Sequence, residues 1–217
     1  MSKTLALDVP PARPVSRLLS AAGIAAGPLF LAAGLTQGLT RDGFDFTRNA
    51  LSQLSLGALG WIQVTVFLLT GLLVITGAIA IRQALRDAPG STWAPRLLCA
   101  FGASFLLAGI FPADPGAGFP AGAPEDRVTS LSAHGTIHML SGAVGYLALC
   151  AAFLVLARHF AALRQRGWTL FARLTPVGVL TGFAASATTV MAFTAGAGLG
   201  LLGLSAVTAR LTYPARQ

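Results

Sequence analysis

The sequence predicts an all-α integral membrane protein, a bundle of six transmembrane helices with both termini in the cytoplasm. Hydrophobic residues make up 54% of the 217 positions and charged residues only 10%, which is far from the balance of a soluble domain. Apolar stretches of about 20 residues, long enough to cross a bilayer, recur along nearly the whole chain. The basic residues, which give a net charge of +8, form no patch with interleaved aromatic residues, so we expect no nucleic-acid partner.

The first four spans are separate apolar segments, predicted at residues 16–38, 60–82, 94–112 and 133–157. The first of them superficially resembles a signal peptide, but its apolar run is longer than a signal core. We therefore interpret it as a retained span.

The last two spans come from one long uncharged stretch. Between Arg173 and Arg210 lie 36 uncharged residues, which as a single helix would be about 54 Å long against a hydrocarbon core of about 30 Å. A hairpin at 194–198 is expected to divide the stretch into spans at 174–193 and 196–211. The membrane domain then covers 16–211, between cytoplasmic tails at 1–15 and 212–217.

The charges predict the orientation of this bundle. Of the fifteen basic residues, only Arg41, Arg48 and Arg127 fall in connections assigned to the outer side. Lys and Arg accumulate on the cytoplasmic side of membrane proteins, so both termini are expected to face the cytoplasm. This topology is typical of a multi-pass membrane protein.

Glycines recur at the small-x-x-x-small spacing that lets helix backbones approach closely. The pairs are Gly23 and Gly27, Gly178 and Gly182, and Gly196 and Gly200. The spacing predicts that these glycines lie where helices pack.

Polar residues gather at the predicted outer side. Thr47 and the residues after it, "RNALSQL", predict a capped short helix at the membrane interface. The histidines of "LSAHGTIHML", His134 and His138, are four residues apart and lie on one face at the start of the fourth span. The candidate site comprises Asp45, Arg48, Asn49, Ser52, Asp114, His134 and His138.

Three motifs carry a family resemblance: "GFDFTRNALSQLSLG" at 43–57, "GIFPADPG" at 109–116 and "SAHGTIHMLSG" at 132–142. In this order, with spans between them, they resemble the bacterial membrane family catalogued as domain of unknown function 998. The resemblance covers about residues 23–159 and implies six spans in a bacterial inner membrane. It implies no established activity.

The simplest interpretation of the polar cluster is structural. Arg48 would pair with Asp45 or Asp114, Asn49 and Ser52 would cap helix ends, and the histidines would bond loop carbonyls. Such pairing offsets the cost of burying polar groups. The long outer connections would then be fixed over the bundle.

A second interpretation is a metal site. Asp114, His134 and His138 are a ligand set for a divalent ion such as Zn, with an open position for water. A metal-activated water would suit hydrolysis of a lipid ester or amide at the outer interface.

Other interpretations involve ligand binding or different chemistry. Arg48 and the histidines would hold a lipid headgroup or a small anionic ligand beside the bilayer. A haem site would require histidines on facing helices, and no nucleophile elbow marks Ser52 or Ser132 as a hydrolase serine. We expect a structural or ligand-binding role, with the metal-dependent hydrolase as the alternative.

Overall fold

A computed structural model describes residues 16–126 and 130–213 of the chain. The predicted tail at 1–15, Arg127 and the end of the tail at 212–217 lie outside these residues. Six α-helices and one short 3-10 helix form the described part. They are α1 (Arg17–Thr40), the 3-10 helix (Leu51–Ser55), α2 (Gly60–Ala84), α3 (Trp93–Ile110), α4 (Ala133–Ala162), α5 (Arg166–Ala185) and α6 (Val190–Thr212).

The six helices form a closed ring. Each helix packs against its neighbours in the chain, and α6 returns to pack against α1. The connections 41–59 and 111–132 both lie at one end of the bundle, here called the long-loop end. The turn between α5 and α6 is also at this end, because the Val190 N–H donates to the Thr47 carbonyl at 3.2 Å.

Five helices, all except α5, are long and apolar enough to cross a membrane. Large apolar side chains cover the outer surface of the bundle. Leu39 is 78% exposed, Val144 is 62% exposed and Leu170 on α5 is 58% exposed. Exposed apolar surface of this extent marks contact with lipid. The protein is therefore a multi-pass integral membrane protein, as the composition predicted.

The first four helices begin and end close to the predicted spans, but the last hairpin was predicted at the wrong place. Residues 194–198 lie inside α6, and the turn is formed by residues 186–189. Thr189 caps α6 by accepting a hydrogen bond from the Met191 N–H. The glycines of the predicted turn serve packing instead, since a Cβ on Gly196 would lie 3.0 Å from the Cα of Gly182 on α5.

The predicted role of the glycine pairs in helix packing is confirmed at several contacts. A Cβ on Gly23 in α1 would lie 2.6 Å from the Cα of Gly77 in α2. One turn further along α1, a Cβ on Gly27 would lie 2.7 Å from the carbonyl oxygen of Leu201 in α6. These distances leave no space for a side chain, so the backbone of α1 directly contacts the backbones of α2 and α6.

Candidate functional site

Asn49 joins the two long connections. Its side chain is fully buried, and its Oδ1 accepts a hydrogen bond from the Asp45 N–H at 2.9 Å. Its Nδ2 donates to the carbonyl of Ala117 at 3.2 Å, and Gln53 donates to the carbonyl of Gly116 at 3.0 Å. Asn49 therefore holds the second connection against the first and does not cap a helix.

The short helix after Thr47 differs from the prediction. It is a 3-10 helix that begins at Leu51, and Thr47 lies outside it. The Thr47 backbone and hydroxyl both donate to the Asp45 carboxylate. These two hydrogen bonds favour the charged form and lower the pKa of Asp45.

Arg41 contributes a second link that the sequence did not single out. Its guanidinium donates to the carbonyls of Leu54 and Leu56, both at 2.6 Å, and lies 4.9 Å from the ring centre of Phe119. Burial lowers the pKa of Arg41, because a buried charge loses hydration. Arg41 thus fixes the end of the 3-10 helix beneath the second connection.

Arg48 pairs with Glu125, so the expected pairing with Asp45 or Asp114 is wrong. The Arg48–Glu125 distance is 3.0 Å, and the two side chains are 46% and 80% exposed. Both expected partners are already engaged, Asp45 by Thr47 and Asp114 by Ser132. Arg48 lies at the solvent-exposed edge of the long-loop end.

Replacing Arg48 with alanine is expected to change the free energy of unfolding by less than about 1 kcal/mol, because exposed ion pairs contribute little. Replacing Arg41 with alanine is expected to cost about 2 kcal/mol, because two backbone carbonyls lose a charged donor. Thermal unfolding of the two variants in one detergent measures the difference. An equal or larger loss for Arg48→Ala would contradict this ranking.

Asp114 organises the start of α4. One carboxylate oxygen accepts the Ser132 N–H at 2.8 Å, and the other accepts the Ser132 hydroxyl at 2.6 Å. The Ser132 oxygen in turn accepts the Gly135 N–H at 3.0 Å. A Cβ on Gly135 would collide with this carboxylate. Ser132 is therefore a helix cap fixed by Asp114, and its hydroxyl proton points to a carboxylate rather than to a histidine.

The two histidines meet at Phe111, which directly follows α3. The Nδ1 of His138 lies 2.9 Å from the Phe111 carbonyl oxygen. The His134 ring, which is solvent-exposed, packs edge-on against the Phe111 ring with 5.5 Å between centres. The expected bond to a loop carbonyl is thus present for His138, whereas His134 makes an aromatic contact.

The predicted metal set gains no support from this geometry. Among residues 16–126 and 130–213, no group of three His, Cys, Asp or Glu side chains is placed to hold a metal ion. Asp114 is directed at Ser132, and His138 at Phe111. The polar cluster predicted from the sequence is therefore divided into an Asn49 link, an Asp114 cap and the histidine contacts.

A cavity of about 370 Å³ lies inside the ring at the long-loop end. All six helices contribute to its walls, and Ala50, Leu51 and Ser52 cover it. Most of its lining is apolar, with Phe30 and Phe105 packed edge-on and Phe67 tilted against both. The imidazole of His138, which is 6% exposed, also lines it. A volume of this size lies within the range of small-molecule sites, about 300–1,000 Å³.

The sequence prediction included two residues of this cavity, Ser52 and His138, and missed its aromatic walls. No pattern in the sequence distinguishes an aromatic residue that faces a cavity from one that fills a core. α1 and α2 contain one phenylalanine each and α3 contains two, so no clustering in the sequence indicated these walls.

The chain was compared with known proteins. A model of the family described as "Protein of unknown function (DUF998)" matches residues 24–212. No curated protein and no solved structure matches the chain.

Proposed function

This chain belongs to the DUF998 family of proteins of unknown function, and we propose that it binds a lipid-like ligand in the cavity at the long-loop end. The observation that carries the proposal is an apolar cavity of about 370 Å³ inside the bundle with the imidazole of His138 in its wall. Concave, largely apolar sites with few polar groups are typical of ligand binding.

We propose that the chain crosses the membrane six times and that α5 is the fifth span. α5 falls short in hydropathy because it carries Arg166 and Arg173 in its first half. Its 20 residues correspond to about 30 Å, which is the thickness of the hydrocarbon core. Three residues separate it from the end of α4, and it leads to the turn beside Thr47. This path supports a complete crossing.

The proposal places the long-loop end on the outer face of a bacterial plasma membrane and both tails, 1–15 and 212–217, in the cytoplasm. The distribution of arginines supports this orientation. Arg82, Arg86, Arg96, Arg158, Arg164, Arg166 and Arg173 all lie near the opposite end of the bundle. The cavity would then be level with the outer leaflet, where lipids are the most abundant apolar ligands.

Ligand binding is favoured over hydrolysis because Ser132, Asp114 and the Nδ1 of His138 are engaged in structural bonds. A hydrolase needs an activated nucleophile or a metal-bound water. The Ser132 hydroxyl donates to Asp114, and the His138 Nδ1 faces the Phe111 carbonyl. A small anionic ligand at Arg48 is also less favoured, since Glu125 already neutralises that guanidinium.

Filling the mouth of the cavity tests the proposal. Gly142 lines the cavity and has no atom within 4 Å of the position of a Cβ. Gly142→Phe should therefore fold normally and occupy the ligand space. We expect at least about a ten-fold loss of co-purified lipid. The phenylalanine would occupy space in which the lipid makes apolar contacts, and these contacts contribute a few kcal/mol to its binding free energy. Native mass spectrometry of protein released from nanodiscs measures the bound lipid.

The matched control is Gly167→Phe on α5, because Gly167 also has open space around its Cβ position and does not line the cavity. This variant should retain the lipid of the native protein. The proposal fails if the native protein carries no bound lipid, or if Gly142→Phe retains as much lipid as Gly167→Phe.

A further inference from the structure

Among residues 16–126 and 130–213, no Asp, Glu, Lys or Arg side chain lines the cavity. An ionised headgroup inside it would lose its hydration and meet no opposite charge, at a cost of several kcal/mol. The side-chain chemistry of the walls therefore selects an uncharged ligand.

His138 supplies a hydrogen-bond acceptor to this cavity. A backbone carbonyl only accepts hydrogen bonds, so the 2.9 Å contact with Phe111 requires the proton on Nδ1. In the neutral imidazole the other nitrogen, Nε2, then carries no proton and accepts. The Phe67 ring packs edge-on against the imidazole at 5.9 Å between centres, which holds the ring in its orientation.

Three hydroxyls of the lining are already used as donors. The hydroxyls of Ser104, Tyr146 and Ser186 donate to the carbonyls of Phe101, Ala197 and Phe183. The His138 Nε2 has no partner within the described ranges. It is an acceptor-only nitrogen that remains for a ligand, whereas the hydroxyls of Ser52 and Thr194, which also line the cavity, can both donate and accept.

The lining of the cavity reaches the outer surface of the bundle in the cleft between α4 and α5. Gly142 and the solvent-exposed Ala143 line the cavity from α4, and the half-buried Phe183 lines it from α5. The surrounding helix surface is apolar, since Leu140 is 60% exposed and Val144 is 62% exposed. Further along the same cleft, the rings of Tyr146 and Phe183 close it with 5.0 Å between centres. A ligand that enters here comes from the bilayer.

We propose that the ligand is an uncharged lipid with a hydroxyl headgroup, which enters between α4 and α5 and donates its O–H to Nε2 of His138. This inference rests on the proposed function and specifies its ligand class. The hydrocarbon chain lies among Phe30, Phe67 and Phe105, and the 370 Å³ volume accommodates a single chain rather than a whole phospholipid.

Three probes with fourteen-carbon chains test the headgroup: 1-tetradecanol, its methyl ether and ionised myristate. Each is titrated against the native protein in nanodiscs, and bound probe is measured by native mass spectrometry. We expect the alcohol to bind about five-fold more tightly than the ether, which is the effect of one net hydrogen bond of about 1 kcal/mol. Myristate should bind more weakly than the ether.

Two variants assign the acceptor. In His138→Phe the alcohol and the ether should bind equally, because a ring of similar size remains without an acceptor. In Ser52→Ala, which removes another polar group of the lining, the preference for the alcohol should remain. A preference lost in Ser52→Ala but kept in His138→Phe overturns the assignment to His138.

The outcomes separate this inference from the proposed function. Equal binding of alcohol and ether to the native protein overturns hydroxyl recognition and leaves lipid binding intact. Binding of none of the three probes, together with no co-purified lipid, overturns the proposed function itself. Tighter binding of myristate than of the alcohol overturns the exclusion of charged headgroups.

Discussion

Replacing Asn49 with alanine is expected to give the largest loss of stability among the polar residues of the long-loop end, about 3 kcal/mol or more. The side chain is fully buried and bonds the backbone of both connections. Its removal leaves the buried Ala117 carbonyl and the buried Gln53 side-chain oxygen without this donor, and each unsatisfied buried group costs about 1–3 kcal/mol. Thermal unfolding in detergent should show a lower midpoint for Asn49→Ala.

The control for Asn49→Ala is Thr47→Ala, two residues earlier in the same connection. The Thr47 hydroxyl bonds Asp45 at an exposed position, where water replaces it. Its removal should change stability by less than about 1 kcal/mol. If the two variants unfold at the same temperature, the Asn49 link is not what holds the two connections together.

The fold was largely predictable because membrane insertion imposes a simple constraint. A span needs about 20 apolar residues, and composition alone reveals most such stretches. α1 to α4 therefore begin where the hydrophobicity begins. The last hairpin was misplaced because glycine has two uses: Gly196 lies against Gly182 with no space for a side chain, and a sequence pattern cannot distinguish close packing from a turn.

The candidate site was predictable in its location but not in its pairing. The motifs placed the polar residues at one end of the bundle, where they do lie. Partners such as Arg41, Gln53 and Glu125 were missed because their bonds join positions that are far apart in the chain or end on backbone carbonyls. Carbonyl acceptors have no sequence signature. Charge matching alone predicted Asp45 or Asp114 as the partner of Arg48, whereas the structure pairs it with Glu125.

The motifs have different structural roles, and these roles explain why the two long connections make so many hydrogen bonds. Ala50, Leu51 and Ser52 cover the cavity, and they are held in place by Asn49 and Gln53 on one side and by Arg41 on the other. The Asp114 cap fixes the start of α4, from which His138 reaches the cavity one turn later. The structural interpretation and the ligand-binding interpretation are therefore complementary, since the polar links hold the cover and the acceptor of a single apolar site.

Replacing Gly23 with leucine is expected to destroy the bundle, with a loss of about 3 kcal/mol or more, at the upper end of overpacking effects. A Cβ at Gly23 would lie 2.6 Å from the Cα of Gly77, and backbone cannot yield by changing rotamer as a side chain does. The control is Gly167→Leu, because a Cβ at this position has open space around it. Replacing this glycine should stabilise the helix by about 0.5–1 kcal/mol, because glycine is unfavourable inside a helix. Size-exclusion profiles and thermal midpoints compare the two. A native midpoint for Gly23→Leu would mean that α1 and α2 do not approach at this crossing, and the ring that surrounds the cavity would then have to close differently.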